Sequence, residues 1–174
     1  MVTFKYKDER DRAYGLGGMA ACLVLLENEN FIDSINIDAP ADCGLVLNSE
    51  FYYAPNQNLS AKSVWREQLN NFEIAAGLLV SNVLSRALVR NRSEVSRELS
   101  DLLLSRLKEE GMEACALEED EVKDIFYKTY GYFHRVFSHG EVAAIMDDMA
   151  GELMQKRVLD KDSVLCSFRA LMRR

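Results

Sequence analysis

The chain has 174 residues, of which 48% are apolar and 28% charged, with 2 prolines, 9 glycines and a formal net charge of −7. That length predicts a single domain over 1–174, with a core large enough to need no disulfide or metal staple, and the few breakers favour helix. The acidic balance argues against the basic face that sequence-independent nucleic-acid binding needs. Cys22, Cys43, Cys115 and Cys166 are scattered without a C-x-x-C pair, as expected of reduced thiols. The opening "MVTFKYKDERDR" has no apolar h-region, and no continuous apolar run reaches the roughly 18 residues of a membrane span. The expectation is a cytoplasmic protein with neither nucleic acid nor membrane as partner.

The first element is a helix over about 8–29, with Asp8 as its N-cap. Within it, "GLGGMA" (Gly15 to Ala20) spells G-x-G-x-x-A, the spacing of a dinucleotide-binding turn. Such a turn must directly follow a buried strand and open a helix at its glycines. Here "KDERDR" precedes it, charged throughout, and helical periodicity runs through the glycines. The spacing therefore predicts a glycine-rich helix face that lets another helix approach closely, and no cofactor.

"FIDSINID" alternates, with Ile35 and Ile37 on one face, and "APADCG" is a turn. "LVLNSEFYYAP" reads as a second strand, bulged or broken at "NSE". Together they predict an antiparallel hairpin near 33–54 lying against helices. "APNQNLS" is a linker. Ser60 then caps the longest helix, 60–91, in which Trp65, Leu69, Phe72, Ala76, Leu79 and Val83 recur at steps of four and three. Its middle, "IAAGLLV", is apolar all round, as in a helix surrounded by others.

Ser93 caps the next predicted helix, to about Gly111, carrying Val95, Leu99, Leu102, Leu103 and Leu107. "GMEACALEED" follows as a loop. A helix over 119–137 presents Val122, Phe126, Tyr130, Phe133 and Phe137. Ser138 and Glu141 fit a capping box that starts a helix over 138–157, with Val142, Met146, Met149 and Leu153 on one face. A last helix, 161–173, presents Val164, Phe168 and Leu171, and Arg169, Arg173 and Arg174 complement its C-terminal dipole. The fold class is mainly α: about six helices around the 60–91 helix, plus the small hairpin.

Candidates for chemistry are few. His134 and His139 are five residues apart and do not share a helix face, and a metal site from His134, His139 and Glu141 lacks the ligand spacings of known zinc motifs. Glu94, Glu98 and Asp101 fall at steps of four and three, which puts them on one face of a continuous helix. "ELSD", Glu98 to Asp101, resembles the E-x-x-D half of the magnesium site in all-α nucleoside-triphosphate pyrophosphohydrolases. That resemblance implies a magnesium-dependent nucleotide phosphohydrolase using Glu94, Glu98 and Asp101. It spans four residues, and the E-x-x-E half is absent from the preceding helix, which offers Glu67 and Glu73. Asp147, Asp148 and Glu152 read as a solvated face, and "EEDE" (118–121) as a helix start favoured by the dipole. Tyr127 and Tyr132 fall off the core stripe and, with Tyr130, suggest a small-ligand pocket or an interface.

No catalytic residue, cofactor-binding residue or metal ligand is assigned. The leading expectation is a non-enzymatic protein that acts by binding another protein chain or a second copy of itself. For a homodimer, Met146, Met149 and Met154 beside Leu153 are the expected adaptable surface. The alternatives are the phosphohydrolase and a helical small-ligand sensor.

Overall fold

A computed structural model describes residues 3–40, 43–52 and 60–172. The protein is mainly α, and its described elements run α1 (Glu9–Leu25), a 3-10 turn (Glu29–Phe31), β1 (Ile32–Asn36), β2 (Leu45–Leu47), α2 (Ser49–Tyr52) and α3 (Ala61–Leu84). A π-helical segment (Ser85–Arg90) continues α3, followed by α4 (Arg97–Cys115), α5 (Glu119–Phe137), α6 (Gly140–Lys156), β3 (Val158–Asp160) and α7 (Lys161–Ser167).

Asp8 is extended, and its carboxylate accepts the Asp11 N–H at 2.7 Å, starting α1 where the sequence indicates. The helix ends four residues earlier than expected. Glu27 turns to φ 57°, its N–H bonds the Val24 carbonyl, and Asn28 N–H bonds the Leu23 carbonyl at 2.8 Å. This is a Schellman closure with glutamate at the left-handed position.

The glycines of α1 are buried in mid-helix and serve three neighbours. A Cβ on Gly18 would stand 2.3 Å from Ser85 Oγ and 2.5 Å from the Ser81 carbonyl, so no side chain fits at the crossing with α3. Ser85 Oγ donates to the Tyr14 carbonyl at 2.8 Å, bonding one backbone to its neighbour's side chain across the crossing. One turn along α1, Cys22 Sγ lies 2.8 Å from the same notional atom on Gly77 of α3. Gly17 faces Met149 of α6, while Gly15 faces Tyr6, Asn82 and Arg86. Burial pushes the Cys22 thiol up to about 12, with a Ser81 hydrogen bond pulling weakly the other way. All four cysteines are free.

The long helix is central, as its apolar middle requires. Ser60 caps it through the Ser63 N–H, and Phe72, Ala76, Val80, Val83 and Leu84 are buried. By length and composition, Lys62–Arg90 could cross a membrane: its most apolar stretch has mean hydropathy 1.5, and 72% of that stretch is buried inside the protein. The packing of α1, α4 and α5 around it explains why it can be so apolar.

Four further helix boundaries differ from the sequence reading. Ser96, not Ser93, caps α4: Arg92 turns to φ 50° and the Ser93 N–H bonds back to the Ala87 carbonyl at 3.0 Å, so Ser93 closes the preceding helix. Gly111 does not end α4. A Cβ there would meet Phe72 at 2.8 Å and Val122 at 2.9 Å, so this glycine permits close packing within the helix, which stops at left-handed Ala116. The Ser138–Glu141 box does not cap α6: Ser138 Oγ instead donates to the His134 carbonyl at 2.7 Å, and His139 occupies the N-cap. The last helix is shorter, ending at Ser167, and Asp160 caps it through the Ser163 N–H. Arg173 and Arg174, the middle of the "APADCG" turn and most of the "APNQNLS" linker lie outside the described residues.

The hairpin forms as β1–β2, with Ile35 opposite Leu45 and Ile32 opposite Leu47. "NSE" breaks the second strand, which gives way to α2. A third strand was not expected. β3 pairs with the other edge of β1, antiparallel, placing Ile35 opposite Leu159 in a sheet of order β2-β1-β3. Ile32, Ile35, Ile37 and Leu159 point into the core, and Val46 and Val158 lie outward.

Candidate binding cleft

The site begins with a charge in the core. Arg86 occupies a turn of the π-helical segment between Leu84 and Val89, with its side chain fully buried. A buried guanidinium requires partners for its donors. Its Nη2 donates to Asp11 Oδ2 at 2.5 Å and to the Lys5 carbonyl at 2.9 Å, and its Nη1 donates to the Thr3 carbonyl at 2.7 Å. The guanidinium also lies 4.8 Å from the centre of the Tyr6 ring, whose hydroxyl accepts from Asn82 at 2.7 Å. Arg90 donates to the second oxygen of Asp11 at 3.0 Å, and the Lys7 N–H to the first. Burial alone would raise the Asp11 carboxyl. The Arg86 and Lys7 bonds and the charges of Arg86 and Arg90 outweigh it and hold the group below its ordinary value.

This network fixes the irregular N-terminal segment, residues 3–8, against α1 and α3. Phe4 and Tyr6 are half-buried, while Lys5 and Lys7 are exposed. The segment forms one wall of an open cleft of about 1050 Å³. The apolar lining comes from Phe4, Met19 of α1, Leu78 and Leu79 of α3, and Leu45 and Leu47 of the sheet, all half-buried. These side chains form the base, and charged groups form the rim.

The rim charges divide by sign. Each of its three carboxylates has a cationic partner. Asp8 pairs with Arg90 at 2.6 Å, Glu9 with Arg157 at 2.5 Å, and Asp38 also with Arg157. The Arg157 bonds lower the Asp38 carboxyl, and the two carboxylates raise the guanidinium in turn. Arg157 caps α6 at φ 69° and accepts the Ile37 N–H, joining α6, β1 and the start of α1 at one end of the cleft. The other rim cations, Lys5, Lys7, Arg12 and Arg106, have no carboxylate partner among the described residues. Arg12 bonds the Ala39 and Pro40 carbonyls and leaves its buried Nε without a partner, and Arg106 lies over the Phe4 ring at 5.5 Å. The arrangement can bury apolar groups at its base and hold negative charge at its rim.

The residues singled out from sequence are dispersed. Glu94 precedes α4 and pairs with His134 at 2.9 Å, so it does not share a helix face with Glu98 and Asp101. Asp101 is exposed beside Arg97 at 3.9 Å, and Glu98 lies in the first turn of α4. His139 is at the N-cap of α6 and Glu141 in its first turn, away from the His134–Glu94 pair. Among the described residues, no group of three or more His, Cys, Asp or Glu side chains is placed to hold a metal ion. Asp147 and Asp148 are both exposed, and Asp147 accepts from Tyr14 at 2.5 Å and lies 3.4 Å from Arg92. Glu152 takes Lys156 and the Ser167 hydroxyl.

The tyrosines separate too. Tyr127 is 61% exposed, Tyr130 stacks on His134, and Tyr132 lines a second, smaller cavity of about 380 Å³ with Glu73, Lys128 and Thr129. The methionine stripe requires a correction. Met146 and Met149 are completely buried, packed on Gly17, and Met154 is half-buried against the same core. Met146 and Met149 therefore belong to the monomer core.

Arg86 and the cleft residues were missed from the sequence. Two signals were available: a lone arginine inside "VLSRALV", and the strict alternation of "FKYK", Phe4 to Lys7. Fold and site define a mainly α protein with an open, cation-rimmed cleft beside its first helix. The chain matches no protein-family model, no curated protein and no solved structure.

Proposed function

We propose that this protein works in the cytoplasm as a non-enzymatic binding module, taking a segment of another protein chain into the cleft beside α1. The observation that carries this reading is the cleft itself: about 1050 Å³, with a half-buried apolar base and rim cations that have no carboxylate partner among the described residues. Small-molecule sites usually measure roughly 300–1,000 Å³ and enclose most of their ligand. An open groove at or above that size suits a polypeptide, whose apolar side chains occupy the base while its backbone stays at the mouth. The Arg86 network supports the reading further, because it holds the N-terminal wall in place before any ligand arrives, lowering the ordering cost of binding.

The test is selection of displayed random peptides on the protein, followed by fluorescence anisotropy of the enriched peptides against the parent, Met19→Glu and Leu79→Glu. Thermal melts identify any variant that fails to fold, and Met19→Trp, which fills the cleft without adding charge, serves as the second arm. The expected result is enriched peptides whose affinity falls by about tenfold or more in the folded variants. Enriched peptides indifferent to all three substitutions, or no enrichment, would overturn the proposal.

A further inference from the structure

We infer that the segment taken by the cleft is acidic and amphipathic, with Asp or Glu side chains flanking apolar ones; the inference rests on the polypeptide-binding reading above. It comes from the division of charge at the rim. Asp8, Glu9 and Asp38 are each committed to an arginine, while Lys5, Lys7, Arg12 and Arg106 have no carboxylate partner among the described residues. The chain carries a net −7, so the remainder of the molecule is more negative still. An acidic segment is repelled by most of this surface and drawn to the cleft, which gives both steering and register. A basic segment would be attracted almost everywhere else.

The geometry of the wall adds to this. Lys5 and Lys7 are exposed and Phe4 and Tyr6 half-buried, and all four line the cleft, so this wall offers both positive charge and apolar surface. Arginine forks such as that of Arg106 suit carboxylates in particular. Nucleic acid is the disfavoured polyanion, because its uniform phosphate charge meets the acidic remainder of the surface and offers little to the aliphatic base.

The experiment uses the full chain and three fluorescein-labelled peptides of about twelve residues. They share one apolar pattern and carry Glu, Gln or Lys at the polar positions. A labelled oligothymidine is the fourth probe. The Glu peptide is expected to bind, with the Gln version at least about tenfold weaker and the Lys version weaker again. Added salt should weaken the Glu peptide. Arg106→Glu and the double variant Lys5→Glu/Lys7→Glu should each reduce its affinity by about tenfold while leaving the melting temperature near that of the parent. If the Gln or Lys peptide binds as tightly, and Leu79→Glu abolishes that binding, the cleft reading stands and the acidic preference falls. If no designed peptide binds although displayed peptides were enriched, the acidic preference again falls alone. Tighter binding of the oligothymidine overturns it in favour of nucleic acid.

Discussion

Two faces of α1 make opposite use of one helix. Toward α3 and α6 it presents Gly15, Gly17, Gly18 and Cys22, so close to its neighbours that a single carbon on Gly18 would lie 2.5 Å from a backbone oxygen. Toward the cleft it presents Arg12 and Met19, long side chains lining open space. The first face is closed and tolerates nothing added; the second is open and has charge and apolar area to offer. A glycine run can thus mark where a helix is fixed in place, while the larger side chains on its other side line the open cleft.

The largest effect should come from breaking the network that supports the open face. Arg86→Met leaves the Asp11 carboxylate buried with only part of its partners, and a loss of about 3–5 kcal/mol in urea unfolding is expected. The double replacement Asp11→Leu/Arg86→Met should recover much of that loss, because no uncompensated charge stays buried. A single variant that loses under about 1 kcal/mol would show that the pair does not hold the N-terminal segment.

The closed face is tested next. Gly18→Ala should destabilise by about 1–3 kcal/mol, since Ser81 and Ser85 must move apart from α1. Gly131→Ala, in α5 where an added carbon meets nothing, should stabilise by about 0.5–1 kcal/mol through lower chain entropy and better helix propensity. Equal effects of like sign at the two sites would remove the distinction between closed and open surface.

A smaller effect separates the two faces by pH. Asp11 sits below its ordinary value in the folded protein, so its contribution is fully present above the unfolded carboxyl value of about 4 and is lost as pH falls through the folded value. Chemical unfolding followed from neutral pH downward should show a steep acid limb, shallower in Asp11→Asn. An unchanged limb in that variant would assign the acid sensitivity to other carboxylates. The smallest stability effect belongs to the rim: Lys5→Glu/Lys7→Glu alters exposed side chains and should change unfolding free energy by about 0.5 kcal/mol or less.

Much of the fold was legible because it is written in short-range pattern. Asp8 and Ser60 cap their helices through bonds three residues away, and the α5 stripe, Val122, Phe126, Phe133 and Phe137, is buried at the spacing that predicts it. What escaped depends on distant pairing. β3 is three residues long and makes sense only beside β1, which the chain left more than a hundred residues earlier. Ser96 displaced Ser93 as a cap because the Ser93 N–H is used to close the preceding helix on the Ala87 carbonyl. The cleft gathers residues from the N-terminal segment, α1, the sheet, α3, α4 and the end of α6, none of them forming a local motif. Met149 illustrates the same limit. Its periodicity correctly gave a helix face, but packing on Gly17 of another helix makes Met149 itself part of the core.

Amide chemical-shift mapping locates a bound partner segment and so tests whether it occupies the open side of α1. With a display-selected peptide added to isotopically labelled protein, the largest shifts are expected at Lys5, Met19, Leu45, Leu79 and Asn82, around the cleft, with the glycine crossing at Gly18 and Ser85 nearly unmoved. Shifts concentrated instead on the outer face of α5, around Tyr127, would contradict the account and move the binding surface to the opposite set of aromatic residues.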